Sequence, residues 1–406
     1  MKILFLVDEF YPSFGANSLL IKTLSKEFIK NGEQVFVMPF SCPKHAQARE
    51  DYQGITIVRE QLNDGKDGLF SALKKGELLT AIKIAGKVFK QKFSNKQNVL
   101  LKDRIVARKL LEKFIKENQI DVVFSICCSI ELSFPLLYLR KKGKLPCKWV
   151  FYMIDPFESH QYYRGIESVS KLRILQHDIM QNCDNVVSTK LIYNDTKEWE
   201  TKEILDKISI IEFPKIEKIE ENPCEDDIVL DKTKINVVCT GSKNEQVRNS
   251  NYTLNLCEKM KNENVLFHFI GRGWCDGEDE QKGNCRFYGL RSHQCVCNLQ
   301  NQADYLLNIG NVVTNQLPSK VLEYISAGKP IINVVKSKNC STIALLENYD
   351  AINLFESDDV QESLKTLNDF MFCTHKNIDF EEIEKQYKTY TPNFVVKQML
   401  DICKGK

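Results

Sequence analysis

Short runs of apolar residues, uninterrupted by polar positions, recur along this chain, each followed by a turn signal and an amphipathic stretch. Successive side chains of a strand point to opposite faces, so a run that is apolar at every position makes a strand apolar on both sides. Such a strand needs cover above and below, which a parallel sheet between two layers of helices supplies. The first residues show the unit: KILFLVDEF, the turn YPSFGAN, the amphipathic SLLIKTLSKEFIKNG closed by Asn31 and Gly32, then VFVMPF. That order is strand, loop, helix, strand, a βαβ opening. DVVFSICC, KWVFYMI and NVVST continue the pattern, and residues 1–212 are expected to form a first α/β domain.

From Pro214 the composition changes to KIEKIEENPCEDDIVLDKTK, charged and without a periodic core face, which marks residues 213–233 as a linker or surface excursion. INVVCTGS restarts the pattern. VLFHFIG, CRFYG, ADYLLNIG and PIINVV read as further buried strands, with helices expected over Tyr252 to Lys261 and Ser319 to Ala327. A second domain over residues 234–390 therefore repeats the architecture of the first. In the tail, residues 391–406, Phe394, Val395, Met399, Leu400 and Ile402 form an apolar stripe suited to a terminal helix. The length of 406 residues fits two doubly wound domains, which usually leave a cleft between the carboxyl ends of their sheets.

A net charge of +2 gives no global argument for a nucleic-acid partner, so a charged ligand has to be met by a local patch. The 15 cysteines are odd in number and mostly embedded in apolar runs, which points to a reducing compartment. Cys275, Cys285, Cys295 and Cys297 lie close in sequence, but their spacing repeats no CxxC knuckle and no histidine pattern accompanies them, so no metal is expected. MKILFLV is too short for a signal-peptide core, and no apolar stretch reaches bilayer-spanning length. The expectation is a cytoplasmic protein.

NQLPSKVLEYISAGKPII, residues 315–332, announces a short helix at both ends: Pro318 suits the first turn, Ser319 is a natural cap, and Gly328 with Pro330 is a stop signal. The first turn of a helix leaves backbone N–H groups unpaired, so a phosphate docks there readily, although many surface helices begin the same way. Taken together, MKILFLVDEFYPSFGA, INVVCTGSKNEQVRN, VLFHFIGRG and LPSKVLEYISAGKPII resemble, in this order, the segments of a GT-B glycosyltransferase, closest to the retaining family 4 type. The resemblance spans most of the chain. It implies two Rossmann-like doubly wound domains facing each other across a cleft, a nucleoside-diphosphate sugar bound mainly by the second, and no obligatory metal or cofactor.

On that resemblance the helix starting at Pro318, Ser319 and Lys320 points its N-terminus at the donor diphosphate, and Glu323 holds the nucleotide ribose. A carboxylate suits a diol because it accepts from two hydroxyls at once; the plain alternative is a solvent-facing helix acid. The family's second acid falls at Asn315, which can bond sugar hydroxyls but carries no charge to set against an oxocarbenium ion. Arg248 falls where a basic residue contacts the diphosphate, with Lys243 near the other basic position, and Gly241 and Ser242 form the turn after the strand. Gly271 opens a GRG that lets backbone approach the nucleotide. In the first domain Gly15 matches one of the family's two loop glycines, with Ala16 in place of the other. Asp155 stands at a strand end near the expected acceptor and serves either to orient or deprotonate an acceptor hydroxyl or simply as a turn residue before Pro156. His160, Tyr162 and Tyr163 follow on the acceptor side.

Lys74 to Lys116 holds thirteen Lys or Arg against three acids, with Leu78, Ile82, Ala85 and Phe89 at helical spacing. Such a helix either lies on an anionic membrane surface, placing the cleft near a lipid-linked acceptor, or packs on the first domain with a solvated face. The function implied is transfer of a hexose to a carbohydrate hydroxyl in surface-polysaccharide assembly, with retention. A catalytically silent GT-B partner and a sugar-nucleotide epimerase are the alternatives.

Overall fold

The apolar runs become strands of two sheets in a computed structural model that describes residues 1–12, 14–40, 46–59, 105–126, 132–155, 168–220, 222–224, 228–243, 245, 248, 250–312, 317–357 and 359–405. The chain divides into two compact units, one comprising Met1–Glu212 with Val396–Lys406, the other Phe213–Val395.

In the first unit the elements run β1 (Lys2–Val7), α1 (Ala16–Lys30), β2 (Gln34–Pro39), β3 (Arg49–Tyr52), β4 (Ile55–Val58), α2 (Ile105–Asn118), β5 (Val122–Ile126), α3 (Ser133–Lys141), β6 (Lys148–Met153), α4 (Val169–Asn182), β7 (Asn185–Ser188), α5 (Lys190–Thr196), α6 (Lys202–Leu205) and β8 (Ile208–Ile210). The sheet order is β3-β4-β2-β1-β5-β6-β7-β8, parallel except for the β3–β4 hairpin at one edge. KILFLV, VVFSI and KWVFYM are buried along almost their whole length, as strands covered on both faces must be. Residues 60–104, most of the basic segment, lie outside the described residues. Its end is α2, whose Leu111, Phe114 and Ile115 are buried in the core while Lys109, Lys113 and Lys116 are exposed.

The second unit continues with β9 (Ile235–Thr240), α7 (Ser250–Lys259), β10 (Val265–Ile270), β11 (Glu280–Lys282), β12 (Cys285–Tyr288), α8 (His293–Gln302), β13 (Tyr305–Ile309), α9 (Ser319–Ser326), β14 (Ile331–Val335), α10 (Ser341–Leu345), β15 (Ala351–Phe355), α11 (Gln361–Met371), α12 (Phe380–Gln386) and α13 (Pro392–Lys404), the last reaching into the first unit's residues. Its order is β11-β12-β10-β9-β13-β14-β15, parallel apart from β11. The charged stretch after Phe213 forms no helix or strand among its described residues, yet Ile216 and Leu230 are buried and Asn222 bonds Asn298 of α8, so this segment is packed onto the second unit.

The register of β13, β14 and β15 is set by asparagines. Asn308, Asn333 and Asn353 lie opposite one another on adjacent strands. Asn308 Nδ2 donates to Asn333 Oδ1 at 2.7 Å, Asn333 Nδ2 donates to Asn353 Oδ1 at 2.7 Å, and Thr342 of α10 bonds the same side chain. Asn333 is fully buried, so a slip of one residue would strand all of these groups. Asn333→Ala is expected to cost about 2–3 kcal/mol, the penalty of leaving buried partners unpaired, read as a shifted urea midpoint.

Among the described residues no helix is long and apolar enough to cross a membrane, and no three His, Cys, Asp or Glu side chains are grouped to hold a metal ion.

Candidate functional site

In the second sheet the strand order runs outward in both directions from the β9–β13 pair, and ligands of doubly wound sheets bind at the carboxyl ends of such a switch point. The site is built there. β9 is followed by Gly241, β10 by Gly271 and β13 by Gly310, three glycines where backbone has to turn in little space.

Gly241 and Gly271 interlock. Both have positive φ, +121° and +140°, and a Cβ on Gly271 would lie 2.4 Å from the Gly241 carbonyl oxygen. Gly241 N donates to Ile270 O, Lys243 N donates to Arg272 O, and the Trp274 indole Nε1–H donates to Gly241 O at 2.7 Å. The turn carrying Gly241, Ser242 and Lys243 is therefore one body with the GRG turn. The carbonyl of Gly241 faces the indole.

Arg248 and Lys320 converge on this turn. A Cβ on Gly241 would meet Arg248 Nη1 at 3.2 Å and Lys320 Cγ at 4.0 Å, so the missing side chain is what admits both. Arg248 is aimed by Asn311, just after β13: the two form an isolated antiparallel bridge, and Arg248 Nε donates to Asn311 Oδ1 at 3.4 Å.

α9 begins beside them. Its N-cap is Pro318 in extended conformation (φ −63°, ψ 112°), whose own side chain makes no capping hydrogen bond. This corrects the expectation for Ser319, which is the first helical residue and not the cap; proline already supplies the fixed φ that an entry requires. Val321 N donates to Pro318 O at 3.2 Å, and the start of α9 is the positive end of the helix dipole. α9 is held in register by Tyr324, whose buried hydroxyl accepts from Thr240 N at 2.7 Å, while Gln300 Nε2 donates to Thr240 Oγ1 at 3.0 Å. The helix stops where expected: Gly328 has φ +68°, and a Cβ there would lie 2.3 Å from Ile378 O.

Glu323, one turn in, is not a solvent-facing acid. Its side chain is 13% exposed, with Oε2 2.6 Å from Lys320 Nζ and Oε1 3.4 Å from Lys215 Nζ. Burial by itself raises a carboxyl pKa, but Lys320 and Lys215, with His293 in support, outweigh it and hold Glu323 down to about 2. Lys320 is legible as an i,i+3 partner; Lys215, from a different part of the chain, has no sequence signal. Arg248, the α9 N-terminus, Lys320, Glu323 and Lys215 thus form a strip that can take an anion at one end and hydroxyl donors at the other.

Asn315, His160 and Tyr162 lie outside the described residues. Asp155 stands half-buried just after β6 in the first unit. Gly15, in the same unit, is the N-cap of α1 with an ordinary extended φ of −82°, and a Cβ there would meet Glu9 Oε1 at 2.5 Å, so its smallness makes room for Glu9. Sequence reasoning missed Asn311, Trp274 and Tyr324, which orient the others and carry no motif.

No protein-family model matches the chain, and a search of curated proteins finds no significant match. Solved structures do match. A sucrose-phosphate synthase from Thermosynechococcus elongatus superposes with a TM-score of 0.65 at 9% identity, covering 100% of this chain and 99% of that one. An α,α-trehalose-phosphate synthase (UDP-forming) from Burkholderia xenovorans, in complex with glucose-6-phosphate, gives 0.63 at 10% identity, with 100% of both chains covered. WaaG, a glycosyltransferase involved in lipopolysaccharide biosynthesis, gives 0.56 at 13% identity, covering 99% of this chain and 100% of WaaG. At such low identity the likeness establishes architecture, and that architecture is the GT-B fold of glycosyltransferases.

Proposed function

We propose that this chain is a glycosyltransferase that moves a hexose from a nucleoside-diphosphate sugar to a carbohydrate hydroxyl. The observation that carries the reading is the convergence of Arg248, Lys320 and the start of α9 on the Gly241 turn, one helical turn from a buried, ionised Glu323. In the step, the bond between the anomeric carbon and the β-phosphate oxygen breaks and a bond to the acceptor oxygen forms. The acceptor proton leaves, and the nucleoside diphosphate departs with an added negative charge. Arg248, Lys320 and the helix dipole stand ready to offset that charge, so we assign the reaction no metal. Retention follows the trehalose-phosphate synthase neighbours, one described as transferring with retention. Asp155 is assigned to the acceptor hydroxyl and Asn315 to the donor sugar. For the acceptor we favour a lipid-linked glycan at the inner membrane face; the cation-rich Lys74 to Lys116 and the likeness to WaaG support it.

UDP, GDP, ADP and CDP are the probes. One of them is expected to raise the melting temperature of the protein, as a ligand of the native state does. Arg248→Ala is expected to need about tenfold more nucleotide for the same shift, the loss of one charge-assisted hydrogen bond. No shift with any of the four would refute the proposal.

A further inference from the structure

Lys215 lies three residues after Glu212, where the first unit ends, and its main chain is held at several points. Lys215 N and Ile216 N both donate to Tyr390 O, at 2.9 and 3.0 Å, on the segment that leads back to the first unit at Val396. Its own carbonyl accepts Ser326 Oγ, at 3.3 Å, from the last turn of α9. The side chain is 12% exposed and spans from this fixed backbone to Glu323. A lysine anchored in this way has already surrendered much of the freedom that makes surface ion pairs weak.

Glu323 has two cation partners, and they are not equivalent. Lys320 shares its helix, and its stem packs against the Gly241 turn where Arg248 also arrives, so a diphosphate bound there competes for its ammonium. Lys215 approaches the other carboxylate oxygen, from the side of the connecting segment. A carboxylate this buried, deprived of Lys320, needs a remaining cation to stay ionised. His293 and Cys297 of α8 and Glu217 are the other titratable groups near this cluster, and none of them replaces an ammonium permanently in place.

We propose that Lys215 is a positioning residue of the donor site: it keeps the Glu323 carboxylate in place for the ribose hydroxyls of a nucleoside diphosphate once Lys320 turns to the phosphates. The inference rests on the donor reading above. It also joins nucleotide recognition to the paired segments at Lys215 and Tyr390, through which the chain passes between its two units.

The test compares the nucleotide that binds with its 2′-deoxy counterpart, by isothermal titration on wild type, Lys215→Met, Lys215→Arg and Glu323→Ala, at a temperature where the melting curve of each without ligand shows it fully folded. The wild type is expected to prefer the ribonucleotide ten- to a hundredfold, the worth of hydrogen bonds to a charged group. Glu323→Ala should abolish the preference. Lys215→Met should reduce it below about threefold by weakening ribonucleotide binding alone, and Lys215→Arg should restore most of it. Full preference retained in Lys215→Met overturns the inference while leaving the donor site standing. Equal weakening of both nucleotides overturns it too, because the lysine would then serve the phosphates or the fold. If the wild type binds none of the four nucleoside diphosphates, the donor reading fails and takes this inference with it.

Discussion

Gly271→Ala is expected to destabilise the second unit by more than about 4 kcal/mol and to remove nucleotide binding, although it adds a single methyl group. Two costs combine. At φ +140° any side chain is strained, and the new Cβ would stand 2.4 Å from Gly241 O, 2.7 Å from Gly241 C and 3.3 Å from Ser242 N. These are backbone atoms, which cannot swing aside, so β9 and β10 must part at their ends. Opening them pulls the Gly241 carbonyl from Trp274 and shifts the turn that Arg248 and Lys320 share. Gly277 separates the two costs: its φ is +113°, but a Cβ there meets nothing within 4 Å, so Gly277→Ala should cost only about 1–2 kcal/mol. Urea unfolding of both variants checks the difference; equal midpoints would contradict the interlocked geometry.

The second large effect is a pH dependence. Glu323 titrates at about 2 in the folded protein, below the ordinary 4.5 of a glutamate, because its lysine partners outweigh burial. As pH falls, the unfolded chain therefore takes up this proton before the folded one does. The stability contributed by the cluster is fully present above about pH 4.5 and is lost progressively down to about pH 2, and the two pKa values put it at roughly 3 kcal/mol. Glu323→Gln removes the titrating group and leaves Lys320 and Lys215 facing a neutral amide. The stability gap between wild type and this variant should be widest near pH 7 and close steadily below pH 4.5. A gap that stays constant from pH 6 to pH 3 would mean that Glu323 is not held by these two lysines.

The class of fold was legible because apolar runs report burial directly. KILFLV, VFVMPF, VLFHFI and PIINVV need no partner information to be read as two-faced strands. The hairpin of β3 and β4 was not legible: REDY is polar and exposed or half-buried, and it is a strand only because Ile55–Val58 pairs with it at the sheet edge. β15 failed similarly, being half-buried along most of AINLF. At the site, helix signals placed α9 and Glu323 because caps and stops are local. Lys215, Asn311 and the mutual fit of Gly241 and Gly271 depend on strands brought together from distant parts of the chain. No window of sequence contains them.

Of the chain's three tryptophans, Trp149 and Trp199 belong to the first unit, leaving Trp274 alone in the second. Its indole is bonded to the carbonyl of Gly241, so the second unit carries one tryptophan, and it sits on the turn where an anion would arrive. With the two other tryptophans changed to phenylalanine, emission excited selectively from tryptophan would report the state of that turn without any attached dye.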